Sequence, residues 1–176
     1  MNLLSGIYAR VDVTQLGRFI INLSGSPRAP ASSPASATTL STLASPFAES
    51  LGNVISSIVP KTCLVPLSLN FLNNSRLQPS RDINSNRLQA TYLQISDGTH
   101  VLVDETILNE GNLNEMGVHN IRAVSQLVTS QAVTYDIPYQ SLDFDVNAPT
   151  IILSEGKSML PVRNVFFFFF FFFALP

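Results

Sequence analysis

The stretch His100-Val101-Leu102-Val103-Asp104-Glu105-Thr106 decides the reading of this chain. Adjacent β-favouring apolar residues, with no polar alternation, predict a short strand buried on both faces, as in a parallel sheet. That strand runs directly into two carboxylates. Asp97-Gly98, just before it, is a hairpin-turn signal following a β-like segment over Leu88 to Ile95.

Working outward, Ser45-Pro46 predicts a helix start, with serine as cap and proline at the first helical position. Phe47, Leu51, Val54, Ile55, Ile58 and Val59 follow at helical spacing until Pro60. Leu64 to Leu72 reads as β-prone, because Leu67, Leu69 and Phe71 alternate with Ser68 and Asn70. The polar stretch 73–86 breaks it. Beyond the acids, Val118, Ile121, Val124, Leu127 and Val128 predict a second amphipathic helix. Val133, Tyr135 and Ile137, then Leu142, Phe144 and Val146, predict a hairpin turning at Pro138-Tyr139-Gln140. Residues 149–154 predict another short buried strand, which Glu155-Gly156-Lys157-Ser158 leaves. Nearer the start, Leu3, Leu4, Ile7 and Tyr8 fit one side of a helix. Phe19, Ile20, Ile21 and Leu23 fit a buried strand ended by Ser24-Gly25-Ser26-Pro27. Residues 26–45 are a low-complexity loop of Ser, Ala, Pro and Thr that needs no packed structure. Strands alternating with helices imply an α/β sandwich around a largely parallel sheet, decorated by inserted hairpins.

Composition narrows the function. The 176 residues suit one domain, with a net charge of −2 and 12% charged residues. A nucleic-acid binder working by bulk electrostatics carries clustered Lys and Arg. Here the lysines are Lys61 and Lys157, the arginines are scattered, and no basic run exists. The single Cys63 excludes an intramolecular disulfide. Cys63, His100 and His119 lack the short paired spacing of a zinc site, and both histidines read as surface or turn residues. Residues 1–7 are too short for the apolar core of a signal peptide, since Arg10 and Asp12 follow. Phe166 to Phe173 is an unbroken run of phenylalanine inside an apolar stretch from Val165 to Leu175. A membrane-spanning helix needs about 20 residues, so this is not an anchor. We read 165–176 as an artefact, a pyrimidine-rich tract translated as Phe, and place the domain at 1–164.

The chemistry rests on Asp104 and Glu105. A hydrophobic strand ending in Asp-Glu resembles the second nucleotide motif of P-loop ATPases of the AAA+ class, where the aspartate holds Mg²⁺ and the glutamate polarises water. A solvated loop is the plainer reading of two acids after a strand. Such an ATPase also needs a phosphate cradle, G-x-x-x-x-G-K-[ST] (Walker A). Gly156-Lys157-Ser158 does not supply it: Ile151 stands where the first Gly belongs, the segment follows the acids instead of preceding them, and Pro161 disfavours the helix that should come next. A tight turn off a strand is the better reading. No G-x-S-x-G elbow occurs either.

Asn86-Arg87-Leu88, Leu93-Gln94-Ile95, and 97–106 as a block are similar to the minichromosome maintenance (MCM) complex-binding protein family. So are Gly111-Asn112-Leu113, Gly117-Val118-His119-Asn120, and Ser154-Glu155-Gly156-Lys157-Ser158 with Leu160-Pro161. Tyr8 to Val13, Leu16 to Phe19 and Asn22 to Arg28 resemble it too, so the likeness covers about 3–28 and 46–164 in order. That family itself resembles the MCM helicase subunits. The resemblance implies a partial, degenerate AAA+/P-loop-like three-layer sandwich with its Walker A region missing, in which Asp104 and Glu105 are vestigial. It implies no catalytic residue, no cofactor and no metal. It further implies a nuclear, non-enzymatic adaptor that binds MCM helicase subunits, and chromatin indirectly, without a membrane or small-molecule substrate. Such an adaptor regulates DNA replication by unloading or maintaining the complex during the cell cycle, and is linked to sister-chromatid cohesion. The alternatives are an AAA+ ATPase truncated before its Walker A, or a non-functional gene-model fragment.

Overall fold

The computed structural model describes residues 6, 9–11, 14–17, 20–27, 44–138 and 140–161. The helix expected on Leu3, Leu4, Ile7 and Tyr8, the body of the low-complexity loop and the polyphenylalanine tail lie outside the described residues. Strands β1 (Ala9–Val11) and β2 (Thr14–Leu16) form a small antiparallel ribbon.

The central sheet has four parallel strands: β3 (Ile20–Ser24), β4 (Thr62–Pro66), β7 (His100–Asp104) and β10 (Thr150–Ser154), in the order β3-β10-β7-β4. All five residues of β7 and of β10 are buried, which explains their unbroken apolar runs. Helix α1 (Pro46–Ile58) covers one face, where its Ala48 and Ile55 pack with Leu102, Ile151 and Leu153. Helices α2 (Leu69–Asn74) and α3 (Glu115–Ser130) cover the other, where Phe71, Leu72, Val124, Leu127 and Val128 join Val101, Val103 and Ile152 in the larger core. The result is three layers, α/β/α, as the alternation of strands and helices implies. A second sheet lies beside it in the order β6-β5-β8-β9, built from β5 (Ser80–Arg81), β6 (Leu88–Gln89), β8 (Ala132–Ile137) and β9 (Gln140–Asp145). Strands β8 and β9 are the expected hairpin, paired over six residues.

Three expectations fail. Residues 69–74 are helical, not extended. Pro66 closes β4, and the Ser68 Oγ accepts the Phe71 N–H at 3.2 Å, capping a new helix. Within the helix Phe71 and Leu72 are the buried positions, adjacent residues that a strand would turn to opposite faces. Only Leu88 and Gln89 of the segment 88–95 are a strand. Leu93 is buried because its N–H reaches the Leu77 carbonyl at 3.1 Å, a contact outside any ladder. Asp97-Gly98 does turn the chain, with Gly98 at φ +77°, but it feeds a parallel strand and closes no hairpin.

Asn120 on α3 fastens the layers. It is buried, its Oδ1 accepts the Leu77 N–H at 3.0 Å, and its Nδ2 donates to the carbonyls of Leu72 and Ser75 at 2.8 and 2.7 Å. The chain leaving α2 is thus held against α3 by one side chain. Removing it strands a backbone donor and two carbonyls in the core. Asn120→Ala is expected to cost about 3 kcal/mol, a large single-residue loss. Urea unfolding should show a lower midpoint with an unchanged slope.

Candidate functional site

The carboxyl ends of the central strands gather polar side chains. In open parallel sheets this is where ligands bind. Strand β7 delivers Asp104, fully buried, and then Glu105, which is 9% exposed. The reading of these acids as a solvated loop is therefore corrected: the sheet buries both.

Every contact of Asp104 is internal. Its Oδ2 accepts the Ser45 N–H at 2.8 Å. Its Oδ1 accepts the Thr106 N–H at 3.0 Å and the Thr106 hydroxyl at 2.6 Å. Ser45 is the N-cap of α1, and its own hydroxyl accepts the Ala48 N–H at 3.2 Å. A helix N-terminus attracts anions through its unpaired N–H groups and its dipole. Here the anion at that end is the protein's own aspartate. The arrangement is a structural tie between α1 and β7.

Glu105 makes a second tie. Its Oε1 accepts the Ser158 hydroxyl at 2.8 Å and its Oε2 accepts the Met159 N–H at 3.2 Å. Burial pushes its carboxyl up from the ordinary glutamate value, and the neighbouring Asp104 adds to that; the bonds from Ser158 and the backbone N–H groups of Met159 and Leu160 pull the other way. Gly156-Lys157-Ser158 is accordingly a bend after β10, with Gly156 and Lys157 exposed and Ser158 turned back to Glu105. Beside it, the Ser154 hydroxyl lies 2.9 Å from Asn22 Oδ1 and 2.8 Å from the Gly156 carbonyl. The N–H groups of Gly25 and Ser26 donate to the carbonyls of Glu155 and Ser154, each at 3.1 Å, so the chain leaving β3 is zipped to the chain leaving β10.

Sequence reasoning found the acids, Ser158 and the helix cap at Ser45, but missed the bond from Ser45 to Asp104 and what Thr106, Asn22 and Ser154 do. Thr106 was detectable, since an Asp followed two residues later by a backbone donor is a local Asx turn. Ser45, 59 residues from Asp104, was not.

Of the remaining reactive residues, Glu49, Cys63 and His100 line one cavity, and His119 lies apart from it. His100 is buried on β7, not a surface or turn residue, because the register seats it opposite Thr62 under α1. It borders a cavity of about 340 Å³ between α1 and the sheet, whose walls include Glu49, Gly52 and Asn53 but neither Asp104 nor Glu105. Cys63 is opposite Val101, one residue out of phase with His100, and burial pushes its thiol up. His119 lies on α3, its Nδ1 2.9 Å from Gln78 Oε1. Among the described residues, no three of His, Cys, Asp and Glu are grouped to hold a metal.

Fold and site together define a three-layer α/β protein whose ligand-binding end is filled from within. The family model described as Mini-chromosome maintenance replisome factor matches residues 1–167, and the chain belongs to that family. It is 37% identical over 161 residues to the "Mini-chromosome maintenance complex-binding protein" of Gallus gallus, covering 92% of this chain and 23% of that protein. The Danio rerio protein of the same name is 38% identical with the same coverage, and the Drosophila melanogaster one is 29% identical over 160 residues. The chain thus spans about a quarter of the length of the curated relatives it matches.

Two outcomes test the site. Asp104→Asn turns an acceptor into a donor facing other donors and should destabilise the fold by about 2–3 kcal/mol in chemical unfolding. An aspartate kept only for a metal would leave the unfolding midpoint unmoved. Glu105 has a folded pKa above its unfolded one, so its contribution to stability is complete below the ordinary glutamate range and lost as pH rises through the folded value. Glu105→Gln should flatten the dependence of stability on pH across that window.

Proposed function

We propose that this chain is part of a non-enzymatic adaptor that binds MCM helicase subunits in the nucleus and regulates replication by unloading or maintaining them on chromatin, with a link to sister-chromatid cohesion. The family membership and the names of the relatives support the partner. The tie from Asp104 to Ser45 supports the absence of catalysis, because the carboxylate that would hold a metal in a nucleotide hydrolase instead closes the helix end where a phosphate would sit.

On this reading the core is a degenerate AAA+/P-loop-like one. A P-loop is a strand–loop–helix unit; here β3 is followed by α1 in the order of elements, and β3 lies in the same parallel sheet as the strand that carries the two acids. The motif itself, its glycines and its lysine, is missing. The buried Asp-Glu pair favours one second reading, an ATPase, and ATP binding separates the two.

Purified MCM subunits, presented singly to the immobilised chain, test the adaptor. Retention of at least one subunit is expected, unchanged by ATP or Mg²⁺. Retention of none of them refutes the proposal. Tight, magnesium-dependent ATP binding by the chain would favour the enzyme instead.

A further inference from the structure

We propose that the cavity between α1 and the central sheet is a binding site for a small aromatic amine, with Glu49 taking the amino group and His100 a hydroxyl at the other end. The site goes beyond the adaptor reading and is independent of it, and of the two acids that follow one another at the end of β7.

The cavity measures about 340 Å³, within the size range of small-molecule sites. Helix α1 leaves it open. Ala48, Gly52 and Ile55 recur along the helix at the spacing of one face, and the middle position has no side chain. A Cβ at Gly52 would meet only Leu102 Cδ2, at 3.8 Å. Glycine inside a helix is less favourable than alanine, so the gap is kept at a cost in stability.

The walls are largely apolar, from Ile55, Leu64, Leu102 and Ile151. Two polar groups stand among them without partners. Alternation along β7 puts His100 on the face of Leu102, which packs with α1. His100 is 8% exposed, and neither ring nitrogen has a hydrogen-bond partner among the described residues. In either tautomer an imidazole has one donor and one acceptor to satisfy. Glu49, in the first turn of α1, also has a buried oxygen, Oε1, without a partner. Most buried polar groups are paired, so two unpaired ones at the wall of one cavity call for a ligand that pairs them.

These groups define the ligand. A carboxylate accepts and does not donate, so Glu49 selects N–H groups, best on a cation. No Lys or Arg borders the cavity, which disfavours phosphates and carboxylates. Helix α1 starts beside Asp104 and ends before Thr62, which lies opposite His100. It therefore runs back along the sheet, and the rise of helix and strand sets Glu49 and His100 about 7 Å apart in that direction. An aromatic ring with an amine at one end and a hydroxyl at the other spans that length between apolar walls.

The test titrates tyramine into the full 176-residue chain, isotope-labelled. Binding is expected to shift the amides of Gly52, Asn53, Leu64 and Leu102. Para-ethylphenol, which lacks the amine, should bind about tenfold more weakly, and phenethylamine, which lacks the hydroxyl, about threefold more weakly. Para-hydroxyphenylpropionate, with a carboxylate in place of the amine, should not bind. Glu49→Gln should remove the preference over para-ethylphenol, and His100→Phe the preference over phenethylamine. Gly52→Leu should fill the space and abolish binding; Gly52→Ala, which adds one methyl group, should weaken binding while raising the Tm. Equal binding of tyramine and para-ethylphenol overturns the proposal. So do binding of the propionate, shifts confined to residues outside the cavity, Zn²⁺ displacing tyramine, or no shift at millimolar tyramine.

Discussion

The carboxylate of Asp104 holds this molecule in register. It is fully buried, and it accepts a backbone N–H from the start of α1 and two donors from Thr106. Buried charge is tolerated only where it is paired or fully hydrogen-bonded. Here hydrogen bonds and the positive end of a helix do that work in place of a cation. The consequence reaches beyond one contact. Helix α1 is joined to β7 at Ser45, so its inner stripe, Ala48 and Ile55, must land on Leu102, Ile151 and Leu153. One layer of the fold is thus oriented by a polar contact at one end and filled by apolar contacts along its length.

The opposite layer uses the same device with a neutral side chain. Asn120 collects a donor and two carbonyls from the chain around α2, and Gln131, at φ +48°, ends α3 while its Oε1 accepts the Ala148 N–H at 2.7 Å just before β10. Close packing reinforces this. A side chain at Gly117 would meet Asn73 Oδ1 at 2.5 Å and Leu113 Cδ2 at 2.8 Å, so the glycine lets α3 approach the end of α2. Amides and a carboxylate fix the angles at which two helical layers meet the sheet; apolar burial supplies most of the stabilisation.

The same distinction explains what could be read in the sequence. Helices α1 and α3, the buried strands β3, β7 and β10, and the β8–β9 hairpin all announce themselves through periodicity or unbroken apolar runs, because the solvent or core side of each residue is set by local spacing. The short α2 did not. Leu67, Leu69 and Phe71 satisfy a period of two, while the burial that decides the matter is that of the adjacent Phe71 and Leu72. A six-residue element holds too few apolar positions to separate the two periods; a serine cap can, and Ser68 was the overlooked signal. The segment 88–95 failed for a different reason, since Leu93 is buried by a bond to Leu77 that no local pattern encodes. At the site, the acids were legible as acids, but their surroundings were set by residues 59 and 53 positions away.

That geometry bears on what the carboxyl ends of the central strands leave available. A hydrolytic centre needs polar groups that change partners during the reaction, and so must leave them available. At the carboxyl ends of these strands the donors and acceptors of Asp104, Glu105, Ser154 and Ser158 are already spent on one another or on the backbone. Opening Asp104 to a metal would release the cap of α1 and loosen a whole layer. Exposed apolar side chains lie elsewhere, at Phe47, Val54 and Ile58 along the outer side of α1. The carboxyl end of the sheet is closed by the protein's own charge, and the exposed apolar surface lies on a different layer.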